Sequence, residues 1–517
     1  MLQRSDVNNT PTWPIYSASV LIDRPQKDVF DYVIDRRHYH RWFPGIVEMV
    51  PADDLPIDAP GKKYAEIARG PTGKLDHLTP DTTAVDVPYS FSMDVDLQPV
   101  LPRFTYEFVP VGDTKTRFTI RCEATANGLL SMIARKVMRA VLNKRGAPAL
   151  QTLKTILEAR PNTLMRAAEV RQFGRPEKVF DVNPTAVRPA PGAGEILVRV
   201  IAASLNPIEA KRRSGYGRTL LAKKGGVEWP IILGSDFAGT VVSVGEGVNQ
   251  FKLGDAVFGA KGVTSSGTYA DYVCVSTDEV KLKPASVSFA EAAAMPYAFL
   301  TVWAAMFEGT GLSPADFEGK RVFVQGGAGG VGNAAIQLAQ ALGAYVATTC
   351  STDAVELCEK LGADMVIDYQ AEAYDQRLSD YDFALETVGG ELEDRTLSIL
   401  KMDGTAVYST IAHPLLHYGD LYGFPRGLIK ALREKARCKR AAKARGIAYH
   451  WSVFEPNRLG LKSLADMLEN NRIEPEISRR FPLEEIAEAH QFLERGHARG
   501  KSLVIMDDEL AEEEAAK

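Results

Sequence analysis

Cysteine is scarce in these 517 residues: Cys122, Cys274, Cys350, Cys358 and Cys438 are all there is, with no CxxC spacing. An odd, scattered set supports neither a disulfide framework nor a structural zinc site, and fits reduced thiols in a reducing compartment. Long apolar runs are missing, none approaching the ~20 residues that span a bilayer. A large excess of one charge is missing too. At a net charge of −5 there is no electrostatic footprint for nucleic acid. The opening MLQRSDVNNTPTWPI has neither a signal-peptide core nor an Arg-rich presequence, so a cytoplasmic protein is expected. What is present is globular: 45% hydrophobic and 25% charged residues, with 42 Gly and 29 Pro. Those proportions exclude collagen-like and wholly disordered chains, and the length allows about three domains.

The clearest seam falls at residues 159–164. Before it, GLLSMIARKVMRAVLNKRGAPALQTLKTILEA (128–159) predicts a long helix. Its apolar face comprises Leu129, Met132, Ile133, Val137, Val141 and Leu142, then Leu150, Leu153, Ile156 and Leu157, with a kink expected at Gly146–Pro148. Upstream, a strand at Ile15–Ile22 and short helices at Gln26–Val33 and Arg37–Trp42 precede alternating strands from Tyr89, Phe104 and Thr116. An antiparallel sheet closed by a long helix is an α+β layer arrangement that leaves a cavity between its layers. Tyr64, His77, Tyr89, Arg103, Tyr106 and Arg121 are candidate polar groups for that cavity, or residues of a wet strand face. The order of elements, with ASVLIDRPQKDVFDYVIDRRHYHRWFPGI at the front, resembles the helix-grip family of START-like and polyketide-cyclase-like (SRPBCC) proteins over residues 13–158. The resemblance implies an apolar ligand: a lipid, quinone or polyketide. His38 and His40, two residues apart on a helix, point away from each other and read as surface histidines.

The sharpest motif is RVFVQGGAGGVGNAAIQLAQALGAYVATT (321–349). A strand at Val322–Val324 runs into Gly327-x-Gly329-x-x-Gly332, then a helix (Ala334–Leu342) and a second strand (Tyr345–Thr349). In such a turn the first glycine makes the tight bend and the second lets backbone approach a pyrophosphate. The third lets helix and strand pack closely, and the helix N-terminus offers N–H groups to the anion. The second strand ends in Thr348-Thr-Cys-Ser351-Thr352 without the acid that holds a ribose 2′-hydroxyl, which predicts NADP(H) over NAD(H). Asp353, three residues before Glu356, reads as part of a helix capping box. Strands at Met365–Tyr369, Tyr381–Glu386 and Gly404–Thr410 extend a doubly wound sheet.

Around this motif stand SLNPIEA (204–210), RSGYG (213–217), LGSDFAGTVV (233–242), KLGDAVF (252–258), AAAMPYAFLTVW (292–303), CSTD (350–353) and ERGHARGK (494–501). Through them residues 165–507 resemble the medium-chain dehydrogenase/reductase superfamily in its zinc-free quinone-oxidoreductase branch, and within it the reticulon-4-interacting mitochondrial oxidoreductase subfamily. The resemblance implies a GroES-like, mainly-β catalytic domain in two parts, residues 165–295 and 431–507, around a Rossmann α/β doubly wound parallel sheet at 296–430. The α+β helix-grip domain of residues 1–160 precedes them and an acidic tail, 508–517, follows. NADPH contacts are implied at Thr301, Gly327, Ala328, Gly329, Gly330, Val331, Gly332, Ser351, Tyr369, Val388, His497, Ala498 and Arg499, and the assembly implied is a homodimer.

Where zinc-dependent relatives hold the metal, this chain has Asn206-Pro-Ile-Glu209 and Gly234-Ser-Asp236, so no metal is expected. Without a Lewis acid, alcohol oxidation loses its main electrostatic help. Hydride addition to a quinone or an α,β-unsaturated carbonyl needs less, because the acceptor delocalises the charge. Asn206, Lys211 and Tyr216 are the catalytic candidates, to bond the carbonyl oxygen and supply a proton; Tyr216 also reads as a packing aromatic.

His413 and His417 have helical metal-pair spacing, but Pro414 between them favours a loop. Residues 426–445 carry nine basic residues and one acid, a solvated helix or a peripheral membrane contact. The expected function is an NADPH-dependent quinone or enone reductase fused to a hydrophobic-ligand module. The alternatives are a lipid or quinone carrier with an NADPH-sensing half, and a polyketide cyclase/aromatase–reductase fusion.

Overall fold

Period-two alternation builds the first sheet. In the strand Ser90–Asp94, Phe91 and Met93 are buried; in Lys115–Ala124, Phe118, Ile120, Cys122 and Ala124 are. These strands belong to a five-stranded antiparallel sheet in the order Trp13–Ile22, Lys115–Ala124, Pro102–Val111, Ser90–Asp94, Asp81–Asp86. Ile46–Pro51, Tyr64–Arg69 and Leu75–Leu78 form a smaller sheet. A helix, Leu129–Leu157, closes the layer, giving the α+β helix-grip arrangement. The computed structural model describes residues 11–159, 163–219, 229–262, 267–390, 392–496 and 499–511. They divide into two compact units, Met1–Arg166 with Asn183–Arg188, and Ala167–Val182 with Pro189–Lys517.

Two expectations for the first unit change. The long helix is one element with Pro148 inside it, and only its C-terminal half buries an apolar face, through Leu142, Leu150, Leu153 and Ile156. Leu129, Met132, Ile133 and Val137 are exposed, and Ile133 and Val137 line a cavity instead of filling a core. None of the six expected polar groups lines that cavity. Strand alternation puts Arg103 and Arg121 on the outer face, paired with Asp94 at 2.7 Å and Glu107 at 3.0 Å. Tyr64 and Tyr106 are absorbed into the aromatic core, and Tyr89 and His77 are exposed.

In the second unit the strand Glu195–Ser204 pairs with Asp236–Val244, Tyr272–Ser276 and Lys501–Ile505, which joins the two ends of the chain segment in one mainly-β, GroES-like layer. The Rossmann sheet has six parallel strands in the order Met365–Asp368, Tyr345–Cys350, Arg321–Val324, Phe383–Glu386, Val407–Thr410, Ala448–Trp451. Buried alanines of the helices Phe289–Ala294 and Gly330–Ala341 pack with Val322, Val324 and Phe383 in the largest core. The sheet runs beyond residue 430, where the sequence places the domain's end. The basic helix Phe424–Ala444 packs on the preceding helix Leu415–Tyr422, where Gly427 lies against Tyr418 and Gly419, and on the sixth strand; its buried residues, Gly427, Ala431, Cys438 and Ala442, are small and leave a weak apolar signal. Asp508–Ala511 is a short helix, and the rest of the acidic tail lies outside the described residues. Among the described residues no helix is long and apolar enough to cross a membrane.

Candidate active site

The glycine turn divides its work differently from the expected scheme. The left-handed residue at the bend is Gly326, with φ of +71°, one position before the motif's first glycine. A Cβ on Gly327 would strike the Thr348 hydroxyl and come within 2.9 Å of Ile336, so Gly327 is needed for close packing. A Cβ on Gly332 would strike the Gly326 carbonyl. Gly329 differs from both: the nearest atom to its Cβ would be the Gly326 carbonyl at an ordinary 3.5 Å. Open space therefore lies over Gly329, the N-cap of the helix Gly330–Ala341, whose first N–H groups and positive dipole end face it. This cradle fits a dinucleotide pyrophosphate. Ala328 accepts a bond from the Gly500 N–H at 3.3 Å, and the Lys501 side chain packs against Gly330. Val331 is half-buried in the same turn.

At the end of the second strand the structure brings Ser351, Arg499 and Tyr369 together. Ser351 donates to Asp353, and the Arg499 guanidinium lies 2.7 Å from the other Asp353 oxygen. Those two partners hold the Asp353 carboxyl below its usual range. The Tyr369 N–H donates to the Cys350 carbonyl at 3.1 Å, setting the exposed Tyr369 ring at the strand end. Asp353 forms no capping box with Glu356: it sits in a 3-10 turn, and Ala354 caps the helix Val355–Lys360. The Arg499 pair holds it there instead. Val388 is exposed beyond Phe383–Glu386, its N–H donating to Glu386 at 2.8 Å. Thr301 is buried on the helix Pro296–Met306, its hydroxyl bonded to the Tyr297 carbonyl. His497 and Ala498 lie outside the described residues.

Beside the glycine turn lies a buried polar cluster. Asn206 caps the helix Pro207–Arg213 in a capping box with Glu209. Its Nδ2 donates to Asp236 at 2.9 Å, and its Oδ1 accepts from the Lys501 ammonium at 2.5 Å. Lys501 also reaches the Leu205 carbonyl at 3.1 Å and lies 3.6 Å from Asp236. Asp236, fully buried, accepts further bonds from the Ser204 hydroxyl and the Tyr297 N–H. Burial raises its pKa, opposed by the Lys501 charge. Burial and the Asp236 charge push the Glu209 carboxyl up to about 7. A zinc ion does not fit this donor set. It offers no thiolate or imidazole, and an ammonium already occupies the centre between the amide and the carboxylate. Among the described residues no group of three His, Cys, Asp or Glu side chains is placed to hold a metal.

Lys211 and Tyr216 stand together further along the same segment, the ammonium 5.7 Å from the ring. The loop after Tyr216 is tied to the nucleotide domain by Asp420, which accepts from Gly217 N–H at 2.6 Å and Thr219 N–H at 3.0 Å. Burial, then the Asp420 charge, raises the Tyr216 hydroxyl's pKa, so it stays protonated at neutral pH. Sequence reasoning missed Lys501, Tyr297 and Arg212. The partners of Lys501 and Tyr297 lie tens to hundreds of positions away, and Arg212 joins Glu209, three residues before it, to the distant Tyr297; the signal was there only for Lys501, as a cation ending the ERGHARGK motif. Burial lowers Arg212's pKa, while Glu209 and Tyr297 oppose this. His413 stacks on Trp451 and bonds the Ser452 carbonyl at 3.1 Å.

Three family models match the chain: polyketide cyclase / dehydrase and lipid transport over residues 15–158, the alcohol dehydrogenase GroES-like domain over 192–285, and zinc-binding dehydrogenase over 361–504. Among curated proteins, the mitochondrial NAD(P)H oxidoreductase RTN4IP1 of Mus musculus is 37% identical over 354 residues, covering 66% of this chain and 89% of the relative. The 2-methylene-furan-3-one reductase of Solanum lycopersicum is 33% identical, over 60% of this chain and 71% of that protein. Among solved structures, the quinone oxidoreductase of Coxiella burnetii aligns with a TM-score of 0.56 at 31% identity, covering 66% of this chain and 99% of that one.

Proposed function

The chain belongs to the medium-chain dehydrogenase/reductase superfamily as an oxidoreductase of its NAD(P)H-using, quinone-oxidoreductase type, and from that premise we propose that its second unit passes hydride from NADPH to a quinone or an α,β-unsaturated carbonyl without a metal. The observation that carries this is the Lys501–Asn206–Asp236 cluster: a fixed internal cation stands where a metal-dependent site needs an exchangeable one. The reduced nicotinamide, when bound, supplies the hydride.

The chain's own residues do the rest. Ala328, Gly330, Val331 and Gly332 present backbone N–H groups to the pyrophosphate, while Gly327 and Gly329 shape the turn, their own N–H groups donating to the Thr349 and Gly326 carbonyls, with Thr301 and Val388 flanking. Ser351, Tyr369 and Arg499 face the adenosine 2′-phosphate; with a phosphate present, the Arg499 guanidinium has a stronger anion to pair with than Asp353. Asn206 positions Lys501. Lys211 and Tyr216 bond the carbonyl oxygen, and the Tyr216 hydroxyl returns a proton. Among the described residues Ala448–Trp451 is the terminal strand of the parallel sheet and gives a second copy a backbone to pair with, which supports a homodimer. The Lys- and Arg-rich helix Phe424–Ala444 supports a peripheral contact with an anionic membrane. Buried free thiols, Cys122, Cys350, Cys358 and Cys438, suit a reducing compartment such as the cytoplasm. Residues 1–160 hold an apolar ligand, and covalent linkage raises its concentration near the reductase.

The test is NADPH oxidation followed at its absorbance band with 1,4-naphthoquinone as acceptor. Turnover that Gly329→Asp abolishes supports the reading. NADPH binding without turnover on any quinone or enone would sink it.

A further inference from the structure

The cavity of the first unit has a volume of about 580 Å³, within the range of small-molecule sites. Most of its wall is apolar, from Phe43, Met93 and Phe104 on one side and Ile133, Val137 and Met138 of the long helix on the other. Tyr39 and Glu66 break that wall.

Glu66 lies on the strand Tyr64–Arg69 between inward Tyr64 and Ala68, and only 6% of it is exposed. Its carboxyl makes no hydrogen bond to the described residues; burial and the charge of Arg36 are what act on it. Arg36 is itself 1% exposed, its guanidinium packed over the rings of Tyr39, Phe91 and Tyr106 at 4.8, 4.6 and 4.2 Å. The terminal nitrogens of Arg36 find no partner of good geometry. The Tyr39 and Tyr106 hydroxyls bond each other at 3.0 Å. A buried carboxyl that no protein group bonds is costly unless something in the cavity bonds it.

The choice of occupant follows from charge. A cationic head would meet Arg36 behind the wall. An anionic head would be stripped of water against a mostly apolar wall, and the cations of the lining are engaged: Arg145 donates to the Arg69 carbonyl at 2.8 Å and Arg69 to the Gly73 carbonyl at 3.2 Å. A neutral head with an acceptor oxygen meets neither objection.

We propose that the cavity takes an apolar molecule bearing a ketone or quinone carbonyl, and that the Glu66 carboxyl donates the hydrogen bond that fixes this oxygen beside Tyr39. This rests on the reading of the first unit as a ligand-binding module and adds to it the class of ligand and the residue that selects it. Burial pushes the Glu66 carboxyl up to about 7, with Arg36 opposing. The other titratable groups around the site are Tyr39 and Tyr106, which burial keeps protonated, and Arg69, Asp76 and Arg145 of the lining. The donor is therefore present below pH 7 and lost above it.

The test is calorimetric titration of the full chain, without NADPH, using 2-undecanone and decanoate as probes of equal chain length and different heads. The ketone should bind about tenfold more weakly at pH 8 than at pH 6, following the protonated fraction of a carboxyl near 7. Glu66→Gln, which keeps a donor, should retain the pH 6 affinity and abolish the pH dependence. Glu66→Leu should weaken ketone binding about tenfold at pH 6. Ketone affinity indifferent to both substitutions, or decanoate binding more tightly than the ketone at pH 6, overturns the assignment and leaves the module reading standing. Failure of both probes to bind the wild-type chain overturns the two together.

Discussion

The Lys501 ammonium meets the Asn206 amide oxygen at 2.5 Å, with neither side chain open to solvent. Residues 295 positions apart are thus locked together beneath the glycine turn. Breaking such a buried arrangement by removing one partner costs ~3–5 kcal/mol, because the other charge stays behind. Lys501→Met should lower the stability of the second unit by that order, read as a shift in its urea midpoint, since Asp236 loses its only cation among the described residues.

The glycines of the turn should separate by role. Gly332→Ala forces a Cβ onto the Gly326 carbonyl and should cost about 1–3 kcal/mol of stability, as overpacking does. Gly329→Asp meets open space and should fold with an unchanged melting temperature while losing NADPH binding, because a carboxylate then faces the pyrophosphate site. Thermal melts with and without NADPH check both.

Arg499 should decide between the two nicotinamide cofactors. Its guanidinium is held at 2.7 Å by Asp353 and stands beside Ser351. A charge-assisted hydrogen bond contributes ~1.5–3 kcal/mol, so Arg499→Ala should raise KM for NADPH about tenfold or more. KM for NADH and kcat with either cofactor should stay unchanged. Steady-state kinetics with both cofactors measure the split.

Stability should depend on pH through Glu209. Its folded carboxyl is raised to about 7 from an ordinary 4.5 by burial and by Asp236, so the folded state holds the proton more tightly than the unfolded one. The contribution is complete below pH 4.5 and is lost as pH rises through about 7. Glu66 gives the first unit a slope of the same sign. Urea midpoints between pH 4.5 and 8 should fall with rising pH, and Glu209→Gln should flatten the curve for the second unit.

Local chemistry was legible in the sequence and long-range pairing was not. The strand–glycine–helix–strand run around Gly327–Gly332 could be placed because every part of it is contiguous, and so could the alternating strands of the first unit. Gly326 escaped because the motif's spacing begins one residue later, although the φ that demands glycine is at 326. The long helix differs in its first half: its periodicity is apolar, but Ile133 and Val137 line a cavity and not a packed core. Periodicity registers hydrophobicity, not what the face meets. The polar groups of that cavity were missed for the same reason. Arg103 and Arg121 sit at visible strand positions, but which face looks inward is set by partners across the sheet.

The central claim is hydride transfer to a conjugated carbonyl, and isotope transfer tests it most directly. Incubating the full chain with 1,4-naphthoquinone or a simple enone and NADPH deuterated at C4, separately in each of its two positions, should consume the cofactor after chelator treatment as well as before. Mass spectrometry of the enone product should show one deuterium at the β-carbon from one of the two labelled cofactors and none from the other. Deuterium on the carbonyl carbon, no transfer from either label, or turnover abolished by the chelator would contradict the account.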